Sequence, residues 1–166
     1  MNLLISGYYC FNNLGDEFIL ISIISELHLK NKDISITVLS ANPAKTASLY
    51  KVNSINRWNP YKIIKEITRS QVIVLGGGGL FQDMTSSLSL YYYLLVMFLA
   101  KLFSKKLFVY SVNINELAYF NRLLASFMLK KADMITVREK RSLQVLEKLG
   151  INPQKAELTA DPVFLN

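Results

Sequence analysis

Four consecutive glycines, Gly76, Gly77, Gly78 and Gly79, stand directly after the apolar run Val72-Ile73-Val74-Leu75 and lead into Leu80-Phe81-Gln82-Asp83. Glycine has no Cβ, so a backbone built from it can approach a ligand closely, and exposed N–H groups in such a loop favour an anion. Two familiar phosphate loops fit poorly. No Gly-Lys-Ser/Thr follows, and the dinucleotide pattern needs a third glycine where Phe81 stands. The acid that would hold a ribose is missing too, because no Asp or Glu occurs from Met84 to Asn115. The stretch therefore reads as a glycine-rich ligand loop of another kind, or as a tight strand-to-helix turn without a ligand.

Other residues could act beside it. Asp16 and Glu17 are carboxylates that burial near a glycine loop can tune toward general-base chemistry on a hydroxyl, although as acids in a first helical turn they need no further role. Asp83 closes the glycine loop and is equally suited to capping the next helix. Arg138 offers a planar fork for a carboxylate or phosphate, or else a surface ion pair with Glu139 or Glu26. His28 ends an apolar helix ahead of Lys30 and Lys32, a helix-terminal surface position. With one His and one Cys in the chain, no Ser/His/Asp order, Cys/His pair or metal cluster can be assembled.

The elements that must position these groups alternate. Leu3 to Ser6 reads as a first strand, and Gly7 to Gly15 as a loop rich in glycine and asparagine. Asp16-Glu17 then open a helix through Leu27, placing acids at the positive end of its dipole. Ile34 to Leu39 is a second strand, and Ala41-Asn42-Pro43 breaks the pattern. A helix over Lys62 to Ser70 precedes the central strand Val72 to Leu75. Leu107 to Val112 and Met134 to Val137 are further strands, with a helix over 120–131, Arg138 at the carboxyl end of the latter strand followed by a helix through Leu149 that stops at Gly150, and Ala156 to Thr159 as a last strand. This order predicts a parallel sheet covered on both faces. Ligands of such sheets bind outside the carboxyl ends of the strands, where the Asn12 to Glu17 loop, the Gly76 to Asp83 loop and Arg138-Glu139 all fall.

Leu88 to Phe103 carries one charge, Lys101. The run is shorter than the twenty or so residues a bilayer span needs. It reads as a buried or partner-facing helix. Lys101, Lys105 and Lys106 at one end also suit a peripheral contact with a membrane surface.

With 166 residues, 51% of them hydrophobic and 19% charged, the chain suits one globular domain. Its single cysteine, Cys10, leaves no intramolecular disulfide and suits the cytoplasm, and Met1 to Ile5 lacks the basic region of a secretory signal. The net charge of +7 is uneven: residues 1 to 100 carry eight Lys/Arg against six Asp/Glu, and 101 to 166 carry eleven against six. A basic second part attracts phosphorylated metabolites or anionic headgroups, or is merely a solvated face. Neither zinc spacing nor an aromatic RNA-binding strand appears, so no nucleic-acid partner is expected.

Four segments resemble one family in the same order: Ile5 to Tyr9 continuing through Asn13-Leu14-Gly15-Asp16-Glu17, then Gly76 to Asp83, Thr136 to Ser142, and Thr159 to Phe164. They look like the bacterial polysaccharide pyruvyl transferases, associated with ketal pyruvylation of cell-wall polymers and exopolysaccharides. The resemblance covers the whole chain and about the first half of a typical family member. It implies an α/β, Rossmann-like domain over 1–166, similar to the N-terminal domain of the glycosyltransferase B fold, with a C-terminal domain beyond it. It also implies phosphoenolpyruvate as donor, a glycan or lipid-linked saccharide as acceptor, a cytoplasmic reaction at the inner face of the membrane, and no cofactor or metal. Asp16 and Arg138 would be catalytic, Arg138 gripping the anionic donor, with Asn13 and Asp16 lining the cleft toward the sugar. Gly15, Glu17, Gly76, Gly77, Gly78, Gly79, Gln82 and Asp83 would complete the substrate-binding set. The basic and histidine residues that the family supplies from its C-terminal half are absent here, which predicts little activity from this chain alone. The alternative is a domain that holds a nucleotide- or lipid-linked sugar without performing chemistry. Two departures stand inside the covered part. The family's glycine-rich Gly-x-Gly-x-Gly-Pro segment is replaced by Ser111 to Glu116, and its Arg-Asp by Arg138-Glu139.

Overall fold

A computed structural model describes residues 1–83 and 87–160. Most of the last resembling segment, from Asp161 to Phe164, lies outside the described residues. Seven strands, β1 (Asn2–Ser6), β2 (Ser35–Ser40), β3 (Asn53–Asn56), β4 (Val72–Gly76), β5 (Lys106–Val112), β6 (Met134–Val137) and β7 (Ala156–Leu158), form one parallel sheet in the order β3-β2-β1-β4-β5-β6-β7. Helices α1 (Leu14–Lys30), α2 (Pro43–Tyr50), α3 (Pro60–Arg69), α4 (Ser87–Leu102), α5 (Tyr119–Leu129) and α6 (Lys140–Lys148) make the crossovers.

Strand order reverses at β1, and right-handed crossovers then send the helices to opposite faces. Alternate strand residues record this. Leu3, Ile5, Ile36, Val38 and Val74 pack with Ile19, Leu20 and Ile23 of α1. Leu4, Ile73, Leu75, Leu107, Val109 and Ile135 point the other way, into a larger core with α3, α4, α5 and α6. The switch point between β1 and β4 is where a doubly wound sheet opens a crevice, and the chain places its glycine loop there.

Two elements differ from the sequence reading. Ala41-Asn42-Pro43, expected only to break the pattern, starts α2: the Asn42 side chain accepts the Lys45 N–H at 3.1 Å, and Pro43 sits in the first turn, where its missing N–H costs nothing. The polar strand β3, Asn-Ser-Ile-Asn, carries no alternating apolar pattern because it is an edge strand pairing only with β2.

At Ser111 the chain also departs from regular geometry. It adopts φ 52°, left-handed for a residue with a Cβ, at a register shift between β5 and β6. Its side chain is fully buried and the hydroxyl lacks a hydrogen-bond partner. Left-handed backbone and an orphaned hydroxyl each cost about 1 kcal/mol or more, against about 0.5–1 kcal/mol for the extra unfolded-state freedom of glycine. Ser111→Gly is therefore expected to stabilise the domain by about 1 kcal/mol, read as an increase in the urea midpoint at constant slope. An unchanged or lower midpoint would refute this account of the strain.

Candidate active site

The loop after β1 is pinned before it reaches the site. The fully buried Tyr9 donates its hydroxyl to the Gly76 carbonyl at 2.8 Å, tying the loop to the end of β4. Burial, with the negative charges of Asp16 and Glu17 among the lesser causes, holds that phenol well above its ordinary pKa, so it stays a donor. Glu17 closes the loop from the other side, accepting the Cys10 N–H at 2.6 Å and the Tyr50 hydroxyl. Asn13 caps α1, its side-chain oxygen accepting the Gly15 N–H at 3.1 Å.

Asp16, in the first turn of α1, is 5% exposed. Asn13 donates its side-chain N–H to Asp16 Oδ2 at 2.6 Å, so one residue both caps the helix and orients the carboxylate. The carboxylate rests against Gly78, whose φ is +70°, and a Cβ there would collide with Asp16 Oδ1. Only glycine satisfies both demands. Burial pushes the Asp16 carboxyl up to about 6, while the Arg138 guanidinium pulls it down and Glu17 pushes it up by smaller amounts. A carboxylic acid with that affinity exchanges protons near neutral pH, as a general base for a hydroxyl must.

Asp16 and Asn13 form one side of a cavity of about 350 Å3. Gly79, Leu80 and Gln82 line it from the glycine loop, together with Tyr8, Ser89 and Tyr93. Polar hydroxyls and amides around one carboxylate, in a volume within the range of ligand pockets, match a sugar better than an apolar ligand. Arg138 stands at the same sheet edge rather than across it. Its Nε donates to Asn113 Oδ1 at 3.3 Å, and the Asn113 N–H donates to the Gly78 carbonyl at 2.9 Å.

The remaining candidates are placed otherwise. Gly76 and Gly77 meet α1, where a Cβ would press within 2.8 Å of Ile23 and 2.6 Å of Ile19 respectively, so their small size serves packing. The Gly77 N–H continues the sheet to the Tyr110 carbonyl at 2.9 Å rather than facing an anion. Glu17 is engaged by Cys10 and Tyr50 and does not line the cavity. Asp83 accepts the Ala118 N–H at 2.9 Å and the Asn121 amide at 2.7 Å, holding the start of α5. Gly15 is exposed beside its cap. Among the described residues no group of three or more His, Cys, Asp or Glu is arranged to hold a metal.

Sequence reasoning missed Arg57 and Tyr93. Arg57 is 3% exposed, immediately after β3. Its guanidinium donates to the Gly7 carbonyl at 2.9 Å, points at the Tyr93 hydroxyl 3.5 Å away, and lies 4.1 Å from the ring centre of Tyr92 and 5.0 Å from that of Phe11. No carboxylate among the described residues pairs with it. A buried cation that directs donors at Tyr93 leaves that hydroxyl's own proton for the cavity. The available signal was a lone Arg followed by Trp58, at the end of a strand too polar to be recognised.

The architecture and the strand-end cavity define a class. HepE of Anabaena, solved in complex with UDP-glucose, superposes with a TM-score of 0.67 at 12% identity, over 97% of this chain and 44% of that one. The lipopolysaccharide outer core galactosyltransferase WaaB in its apo form gives 0.58 at 10% identity, over 96% of this chain and 45% of that one. The fold is thus an α/β half of the glycosyltransferase B kind. Within that class the sequence profile of the polysaccharide pyruvyl transferases matches residues 13–166, and the chain belongs to that family. It is 27% identical over 208 aligned positions to the amylovoran biosynthesis protein AmsJ of Erwinia amylovora, an alignment taking in 99% of this chain and 49% of that protein. The chain therefore spans about half the length of the curated relative it matches.

The acidity of Asp16 carries a stability consequence. Its pKa rises from the ordinary 3.8 to about 6 in the fold, so between those values the native state holds more proton than the unfolded chain and stability falls as pH rises. Above pH 6 the full penalty remains. Asp16→Asn should therefore stabilise the protein at pH 7 by about 1–3 kcal/mol, an advantage that vanishes below pH 4. Thermal melts across pH 4 to 8 check this, and a destabilised Asn variant at pH 7 would contradict the burial account.

Proposed function

We propose that this chain carries the acceptor side of a polysaccharide pyruvyl transferase, which moves the pyruvyl group of phosphoenolpyruvate onto sugar hydroxyls of a cell-wall or exopolysaccharide glycan as a ketal. Two hydroxyl oxygens bond to C2 of the donor and the C2–O bond to phosphate breaks. One hydroxyl proton passes to the donor methylene, which becomes a methyl group, and the other leaves with phosphate. Asp16 receives a hydroxyl proton, with Asn13, Gln82, Ser89 and Tyr93 holding the sugar around it. Arg138 meets the donor's carboxylate or phosphate. The observation that carries this reading is the placing of a carboxylate tuned to about 6 and a guanidinium that it senses at one sheet edge, in a chain of this family. A single domain over 1–166 would then form one wall of a cleft, and the rest of a full-length transferase would supply the other wall and the remaining cationic grip. A cytoplasmic site fits the donor and the lone cysteine.

A second reading rests on HepE, whose crystal structures hold UDP and UDP-glucose: the chain would bind a nucleotide- or lipid-linked sugar without chemistry. Titration calorimetry separates the two. Phosphoenolpyruvate binding that Arg138→Ala weakens about tenfold or more supports transfer. Binding of UDP-glucose with no response to phosphoenolpyruvate supports the second. By itself the 166-residue chain is expected to release little phosphate from donor plus acceptor, and robust turnover would overturn its assignment as one wall of the cleft.

A further inference from the structure

We infer that the outer face of α4 and α5 docks on an anionic lipid surface. On α4 the side chains of Leu88, Tyr91, Leu95, Phe98 and Leu102 repeat at intervals of three and four, one helical stripe, and are 40% to 78% exposed. The neighbouring α5 adds Tyr119, Phe120, Leu123 and Phe127, each at least half exposed. The two helices pack side by side, so the stripes form one apolar band of the kind that marks an interaction surface.

Charge selects the occupant. From residue 84 to 132 the chain has six Lys/Arg, namely Lys101, Lys105, Lys106, Arg122, Lys130 and Lys131, and one acid, Glu116. Asp133 pairs with Lys101 at 2.5 Å and Lys106 at 3.4 Å, offsetting part of that excess. Arg122, Lys130 and Lys131 are exposed. Two of these cations sit on aromatic rings of the band itself, Arg122 5.5 Å from the ring centre of Tyr119 and Lys131 4.7 Å from that of Phe127. Apolar and aromatic side chains rimmed by cations suit the boundary between acyl chains and anionic headgroups. A second copy of the chain fits worse, because a two-fold contact would bring these like charges together. Among the described residues no helix is long and apolar enough to cross a membrane, so the contact is peripheral. Ser89 and Tyr93 of the same α4 line the cavity, which the docked band would hold close to the headgroups. The inference rests on the surface alone and stands apart from the reaction.

Co-sedimentation of the chain with vesicles tests it. Vesicles of phosphatidylglycerol and phosphatidylcholine should pellet the protein at low salt and release it toward 1 M salt, where screening shortens to about 3 Å, whereas pure phosphatidylcholine should pellet little. Lys130→Glu with Lys131→Glu should cut partitioning by well over tenfold, at about fivefold per neutralised charge. Leu95→Glu with Phe98→Glu should abolish it. Both pairs are exposed, so their melting curves should match the parent. Absence of pelleting with anionic vesicles, pelleting indifferent to either pair, or light scattering showing a dimer that the Leu95/Phe98 pair dissolves while vesicle binding is lacking would each overturn the inference.

Discussion

The contact between α1 and the glycine stretch governs this structure. Gly76, Gly77 and Gly78 give α1 a surface without side chains, and Ile23, Ile19 and Asp16 occupy the space that three Cβ atoms would take. The same approach buries the apolar side of α1 against β1, β2 and β4 and brings a carboxylate out of water. Burial then does two things at once: it costs stability, because an ionised Asp16 prefers solvent, and it moves the acid into the range where proton transfer is useful. Packing and chemistry are here one constraint, and a larger residue at Gly78 would disturb both.

That coupling explains what was legible in the sequence. The glycine run, the acid pair at a helix start and an Arg after a strand are local patterns whose placement follows from the rule that ligands gather at strand carboxyl ends, and Asn13, Asp16, Gly79 and Gln82 do share one cavity. What each glycine is for was not legible. Gly76 and Gly77 face Ile23 and Ile19 of a helix more than fifty residues earlier in the sequence, and only the folded contact separates packing from ligand approach. The partners of Glu17 and Asp83 were not legible either, because spacing does not reveal them. Tyr50 and Asn121, which engage them, lie more than thirty residues away. Strand β3 and helix α2 escaped because an edge strand needs no apolar alternation and an eight-residue helix leaves a weak period.

Arg57 shows the limit most clearly. Moving a guanidinium from water into a protein interior costs several kcal/mol unless something replaces the water. Here a carbonyl, a phenol and the faces of Phe11, Trp58, Tyr92 and Tyr93 do so, each ring contributing about 0.5–2 kcal/mol. Burial raises the pKa of the Tyr92 hydroxyl, while the guanidinium and the Ser6 hydroxyl beside it favour its ionised form. A leucine would fill the same space at less expense, so retention of the charge has to be understood through what it does to its neighbours. It fixes the Gly7 carbonyl and faces the Tyr93 hydroxyl, and those two flank the loop and the helix that hold the cavity open.

Helix α4 poses a related question. Sixteen residues with a single charge read as a buried or partner-facing helix, and a doubly wound sheet, which carries one layer of helices on each face, lets a helix in that layer bury only the side turned to the strands. Leu90, Tyr93, Leu94, Val96, Met97 and Ala100 satisfy that side completely. The outer positions contribute nothing to this core, and polar residues there would fold equally well and dissolve better. Folding therefore does not account for Leu95, Phe98 or Leu102 at those positions. These exposed apolar side chains, with cations seated on the adjoining aromatic rings, are what the proposed anionic lipid surface would meet.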